Sequence, residues 1–243
     1  MGRPLRLTYL GALHHVTMRC NNKEFLFDPR SQRMFLDLLR ECCAKFDVPL
    51  YNYCLMTNHV HLLFTVGADD VLSPFMHRLA NVFAKRFNAM RGRKGHLWEG
   101  RFVSTVVEPQ TYFFRCMAYI DLNPVRAGMA DHPIEYAWCG HRHLAAEDQT
   151  IIRLHELYLQ LGDDPESRYR TYLELVGEEA ERKPHSLAGV LFVGSDGFAS
   201  RMLKRFGIEP GRRPRVRRAD LGSGVRCVEL IKGGSRGKFA PAP

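Results

Sequence analysis

The first readable element in the chain is an alternation. In HHVTMRC at 14–20, His15, Thr17 and Arg19 share one face of an extended chain, and Val16, Met18 and Cys20 share the other, because strand side chains alternate. The period changes after Asp28-Pro29. Phe35, Leu38, Leu39, Cys42 and Phe46 recur at helical intervals, with Asp28 as N-cap and Pro29 in the first turn, and this predicts a helix ending near Asp47. Segments 50–56 and 59–66 read as two strands of a hairpin joined at Thr57-Asn58. A second helix is predicted from about Ser73, acting as cap, to Met90, with Leu79, Val82, Phe83, Phe87 and Met90 as its apolar stripe. A Gly- and Arg-rich turn at 91–95, a strand at 102–107 and a third helix from near Pro109 to before Pro124 complete the run. Several connections are too short for parallel crossovers. The expectation is therefore an α+β domain with a central antiparallel sheet and packed helices over 1–149. From 150 onward the pattern differs: helical stretches at 151–161 and around 166–182 precede a Gly- and Arg-rich tail. The segment 150–243 is read as an extension, mainly helical and then basic and mobile.

Composition adds a partner class. The 243 residues carry 35 Lys+Arg against 26 Asp+Glu, a net charge of +9 and a pI near 9.4. Such a balance attracts polyanions, nucleic acid above all. The seven cysteines include no CxxC pair, which fits a reducing compartment rather than a disulfide framework. No signal-peptide core and no apolar run of membrane-spanning length is evident. The expected location is the cytoplasm, on the nucleoid when bound to DNA, with no membrane partner. Neither a P-loop nor a GxSxG motif is present, so no nucleotide cofactor is expected.

The segment LMTNHVHLL at 55–63 carries the sharpest chemistry. On a strand, His59 and His61 point to one face while Val60 points into packing. Two neighbouring neutral imidazoles can bind one divalent cation, although a lone HxH is more often simply exposed or packed. Tyr119 and Asn123 stand at i and i+4, on one helix face. They offer a phenol, which can attack phosphorus, and an amide oxygen, which suits Mg²⁺ or Mn²⁺. The plainer readings are an aromatic of the core or helix surface, and a helix C-cap before Pro124. Cys139, His141 and His143 could suggest zinc, but no second ligand pair lies at a usual spacing. His14-His15 lies near the same sheet and could approach the site, its two side chains facing opposite ways.

LMTNHVHLL, GHLWEGRF and YIDLNPVRAG, in this order, closely resemble the single-tyrosine, His-hydrophobe-His transposases of bacterial insertion sequences, and most specifically the REP-associated tyrosine transposases. The resemblance spans roughly 9–144 and extends more weakly to LFVGSDGFASRML at 191–203. It implies a ferredoxin-like antiparallel sheet with helices on one side. It implies His59 and His61 as metal ligands, Tyr119 as the nucleophile and Asn123 as third ligand. The implied activity is Mg²⁺- or Mn²⁺-dependent cleavage and rejoining of single-stranded DNA through a 5′-phosphotyrosine, at hairpin-forming repeat elements, by a monomer or homodimer. Thr57 departs from the proline common before the family's Asn-His pair, and 21–27 holds less arginine than the family's pattern.

The basic residues then acquire a role. Lys85, Arg86, Arg91, Arg93, Lys94 and Arg101 cluster around Phe83, Phe87 and Trp98. Cations would hold phosphates while exposed aromatics stacked on bases, unless Phe83 and Phe87 belong to the core, as their helical spacing favours. Arg212, Arg213 and Arg215, in the run RRPRVRR, form a second candidate DNA contact. Two rival functions are a non-cleaving DNA-binding regulator derived from a transposase and a metal-dependent phosphohydrolase using water. A covalent protein–DNA adduct separates the transposase from both.

Overall fold

Alternation and helical spacing are realised close to where the sequence places them. The computed structural model describes residues 6–21, 27–182, 187, 189–208, 215–220 and 226–231. Strand β1 (Leu13–Arg19) is followed by α1 (Pro29–Phe46), the hairpin β2 (Leu50–Leu55) and β3 (His59–Thr65), α2 (Leu72–Arg91), β4 (Val103–Val107) and α3 (Pro109–Asp121). Asp28 caps α1 as its sequence position predicts: its carboxylate accepts from the Ser31 N–H at 2.9 Å, and the Ser31 hydroxyl accepts from the Asp28 N–H at 2.8 Å. The helix stops at Asp47, whose φ of 50° turns the chain left-handed. Ser73 is not a cap, contrary to the sequence reading. Helix α2 begins at Leu72 after Val71, and the Ser73 hydroxyl instead accepts from Arg6 Nη1 at 2.6 Å.

The sheet of the first domain is antiparallel. β1 lies between β3 and β4, with β2 outside β3. Helices pack on both of its faces, not one. Phe64 meets Phe75 of α2, ring centroids 5.1 Å apart, whereas His61 meets Tyr119 of α3 at 5.8 Å. Residues three apart on a strand point opposite ways, so α2 and α3 cover opposite faces. Phe35, Leu38 and Leu39 of α1 join Leu79, Phe83 and Phe87 of α2 in the core, all almost fully buried. Each such side chain contributes about 1.5–3 kcal/mol of transfer free energy.

After α3 the chain runs through α4 (Asn123–Arg126), α5 (His141–Ala145), α6 (Glu156–Leu159), α7 (Pro165–Ala180), β5 (Val190–Gly194), α8 (Asp196–Arg205), β6 (Arg215–Asp220) and β7 (Arg226–Ile231). Helix outweighs strand here, as the sequence suggests, but 151–161 holds only the four residues of α6. The three strands are the unanticipated part. β5 pairs parallel to β4, and the β6–β7 hairpin continues antiparallel, giving seven strands in the order β2-β3-β1-β4-β5-β7-β6. A run as short as VLFVG, buried throughout, has no alternation to announce it, because both of its faces are covered. Part of the basic tail that composition marks as mobile therefore forms strands. Arg212, Arg213 and 232–243 lie outside the described residues, and Arg215 is described only as the first residue of β6.

Candidate active site

The histidine pair sits at the start of β3. Register places Arg19 opposite His59 and Thr17 opposite His61, so His15, Thr17, Arg19, His59 and His61 all face α3. The His59 and His61 ring centroids are 5.0 Å apart. Tyr119, half-buried on α3, turns its ring edge-on to His61 at 5.8 Å and to His15 at 5.8 Å. The structure thus brings together three of the four residues that the sequence selects for catalysis, and of the His14-His15 pair it brings His15 to them.

Asn123 is not the C-cap of α3; that position is Leu122, and Asn123 opens α4. Its amide nitrogen donates to the Tyr119 carbonyl at 2.7 Å. An amide whose NH₂ is committed to a carbonyl leaves its oxygen to act as acceptor or ligand, so the donor set fits the expected role.

Burial keeps the imidazoles neutral. Desolvation, helped by Arg19, lowers His59 to about 4. Desolvation and the neighbouring His59 and His15 take His61 well below its usual value. Ligation requires neutral histidine, and among the described residues His61 Nε2 is a buried nitrogen without a hydrogen-bond partner. Two neutral imidazoles, one of them with an unsatisfied buried nitrogen, and an amide oxygen match the mixed N/O set that Mn²⁺ or Mg²⁺ accepts. Tyr119 is opposed in its ionisation by burial and by Cys116, while Arg126 and Arg19 favour the phenolate. The Arg126 guanidinium lies 5.8 Å from the Tyr119 ring centroid.

His14, on the opposite face, is equally desolvated. Burial lowers both His14 and His15 to about 3. Their folded values lie below the unfolded ones, so the stability they contribute is complete above about pH 6.5. It is lost as pH falls and the unfolded chain alone takes up protons. Each histidine is expected to cost on the order of 1.4 kcal/mol per pH unit in the metal-free protein. Urea midpoints between pH 7 and 5, where carboxylates titrate little, check this; a flat series contradicts it.

Three other tyrosines are engaged elsewhere. Tyr53 shares a hydrogen bond with His143 Nε2 at 3.1 Å, and Tyr136 donates to the Leu55 carbonyl at 2.7 Å. Tyr112 is buried under Arg115, 5.0 Å from its ring. The residues that could have suggested zinc have separate partners. Cys139 and His141 turn to Asp121, at 3.2 and 2.7 Å, while His143 turns to Asp148 at 2.8 Å. A cavity of about 530 Å³ lies by Arg40, Cys43 and Thr65, at the end of β3 away from His59.

The loop that follows the basic cluster reaches the Arg19 end of β1. Cys20 bridges to Trp98, and the Glu99 N–H donates to the Arg19 carbonyl at 3.0 Å, which places 98–99 beside the His59 end of the sheet. Lys85, Arg86, Arg91, Lys94 and Arg101 are exposed and Arg93 is half-buried. Arg86 and Arg91 are paired with Glu41 and Asp28. The aromatics do not form a stacking platform. Phe83 and Phe87 are core, and Trp98 packs on Phe83 with its indole N–H donating to the Ala80 carbonyl at 2.9 Å. Arg19, exposed and opposite His59, is a further cation at the site. Its place on the His15–Thr17 face was readable, but its pairing with His59 was not.

Residues 8–123 match the family described as IS200-like transposase. A solved REP-associated tyrosine transposase bound to a REP hairpin is similar over 65% of this chain and 93% of its own, at 20% identity and a TM-score of 0.51. A protein assigned as a transposase from Deinococcus radiodurans R1 is similar over 44% of this chain and 87% of its own, at 18% identity and a TM-score of 0.36. No curated protein matches. The family match covers residues 8–123, the segment that holds His59, His61, Tyr119 and Asn123.

Proposed function

We propose that this protein is a transposase that cleaves and rejoins single-stranded DNA through Tyr119, with Mg²⁺ or Mn²⁺ held by His59, His61 and Asn123. The observation that carries the reading is the Tyr119 ring set edge-on against His61, whose buried Nε2 lacks a partner among the described residues. A bound divalent cation would polarise the scissile phosphate and offset the charge that develops on it. The Tyr119 oxygen forms the new bond to phosphorus as the bond to the 3′-oxygen breaks, leaving a 5′-phosphotyrosine and a 3′-hydroxyl. Rejoining reverses the exchange: a 3′-hydroxyl attacks phosphorus and the phenol takes back its proton. Arg126 and Arg19 favour the phenolate that leaves in that step. Because each step exchanges one phosphate ester for another, no nucleotide is consumed.

The substrate in this reading is DNA that folds into hairpins, the kind of ligand in the similar REP-hairpin complex. Incubation with single-stranded hairpins from the gene's own flanks, plus Mn²⁺ or Mg²⁺, should yield a covalent protein–DNA band, and EDTA should abolish it. Cleavage without any adduct would favour the phosphohydrolase, and binding without cleavage the regulator.

The turn after α2 is the proposed path for the DNA backbone. Lys94→Glu is expected to weaken binding to all hairpins alike. It should reduce the slope of log K against log salt by about one, the share of a single neutralised phosphate. An unchanged slope would move the path elsewhere, for example to Arg212, Arg213 and Arg215.

A further inference from the structure

His15 is almost fully buried beside the site, and the chemistry above gives it no task. Its Nε2 lies 2.9 Å from Nδ1 of His61. The two ring planes differ by only 7°, with centroids 5.1 Å apart. The contacting nitrogens therefore lie between two nearly parallel rings, in position for an imidazole–imidazole hydrogen bond. We propose that His15 is a positioning residue that fixes the tautomer of His61, accepting its Nδ1–H so that Nε2 keeps a lone pair for the cation. This rests on the proposed metal role of His61.

The direction of the bond follows from proton counting. A neutral imidazole carries one N–H. If His15 donated, His61 would hold its proton on Nε2, and among the described residues that buried atom has nothing to donate to. Burying an N–H without an acceptor is costly. If His61 donates, its N–H is satisfied and its free lone pair sits on Nε2. The Thr17 hydroxyl, 3.4 Å from the same Nδ1, stands at the margin of hydrogen bonding. His59 is arranged in parallel: its Nδ1 lies 2.7 Å from the Asn58 amide oxygen, which can only accept. His59 therefore also carries its proton on Nδ1 and presents Nε2. One outer acceptor is local in sequence; the other comes from a different strand, through the register that sets Thr17 opposite His61. Partners of this kind orient metal-binding histidines, and their removal commonly costs 10- to 100-fold in metal affinity.

Two measurements test this. In ¹⁵N-labelled metal-free protein, long-range ¹H–¹⁵N correlation should show His61 protonated on Nδ1; the Nε2–H tautomer in the wild type overturns the proposal whatever the variants do. Mn²⁺ titration should then show about 10- to 100-fold weaker binding in His15→Phe, which keeps a ring but loses the acceptor. His15→Gln, whose side-chain oxygen can accept, should recover most of the affinity. Equal Mn²⁺ affinity in wild type and His15→Phe removes the role of His15 while leaving the metal site intact. A wild type that binds no Mn²⁺ removes the metal site as well. Should His15→Phe not fold, the wild-type tautomer and His15→Gln still decide.

Discussion

Tyr119→Phe is expected to abolish the covalent protein–DNA adduct and lower cleavage by about 10⁴-fold or more, with hairpin binding near the wild-type value. Phenylalanine keeps the ring that packs edge-on against His61 and His15 at 5.8 Å and removes only the attacking oxygen. Substitution by another tyrosine is blocked by geometry. Tyr112 stands two turns earlier on α3, about 10 Å along the axis, and is fully buried. Tyr53 and Tyr136 are committed to His143 and to the Leu55 carbonyl. Denaturing electrophoresis of the protein with labelled hairpin reads the adduct directly. An adduct that survives in the Phe variant means the nucleophile is misassigned. Cleavage that continues without an adduct means water attacks instead.

What could be read in advance followed the range of the interactions. His59 and His61 were legible because a strand has period two, and Tyr119 with Asn123 because a helix brings i and i+4 together. The family motifs joined the two groups. The role of His15 was hidden, because it depends on the register between strands more than 40 residues apart, and register is a long-range outcome. The aromatic cluster around Trp98 shows the opposite case. Helical spacing placed Phe83 and Phe87 in the core, and packing of Phe83 against Phe27, Phe35 and Trp98, with Phe87 against Phe83, put them there. Asp121 gave no sign of its importance. In sequence it is one acidic residue near a helix end, and every group that explains it comes from elsewhere in the chain.

Asp121→Ala is therefore expected to destabilise the protein by about 3–5 kcal/mol, because it removes the shared acceptor of a buried hydrogen-bond network. Asp121 is fully buried. One carboxylate oxygen accepts from Asn52 Nδ2 at 2.8 Å and from Cys139 Sγ at 3.2 Å. The other bonds with His141 Nδ1 at 2.7 Å and accepts from the Tyr172 hydroxyl at 2.5 Å. These partners lie on β2, on the segment before α5, on α5 and on α7, so one side chain ties the helix bearing Tyr119 to the sheet and to the extension. Alanine leaves four polar groups without their acceptor in a site that water does not reach, and each carries its own desolvation cost. Tyr172→Phe removes only one donor and leaves the carboxylate three, so it should cost about 1 kcal/mol. Urea unfolding of both variants checks the ratio. In the double variant the losses should fall short of additive, because the Tyr172 hydroxyl has no partner left to lose once Asp121 is gone. An Asp121→Ala variant within about 1 kcal/mol of wild type would mean that α3 is held by its apolar packing alone. The same variant should also lose adduct formation with folding still cooperative, since Asp121 lies two residues beyond Tyr119 and fixes the end of α3 that presents it.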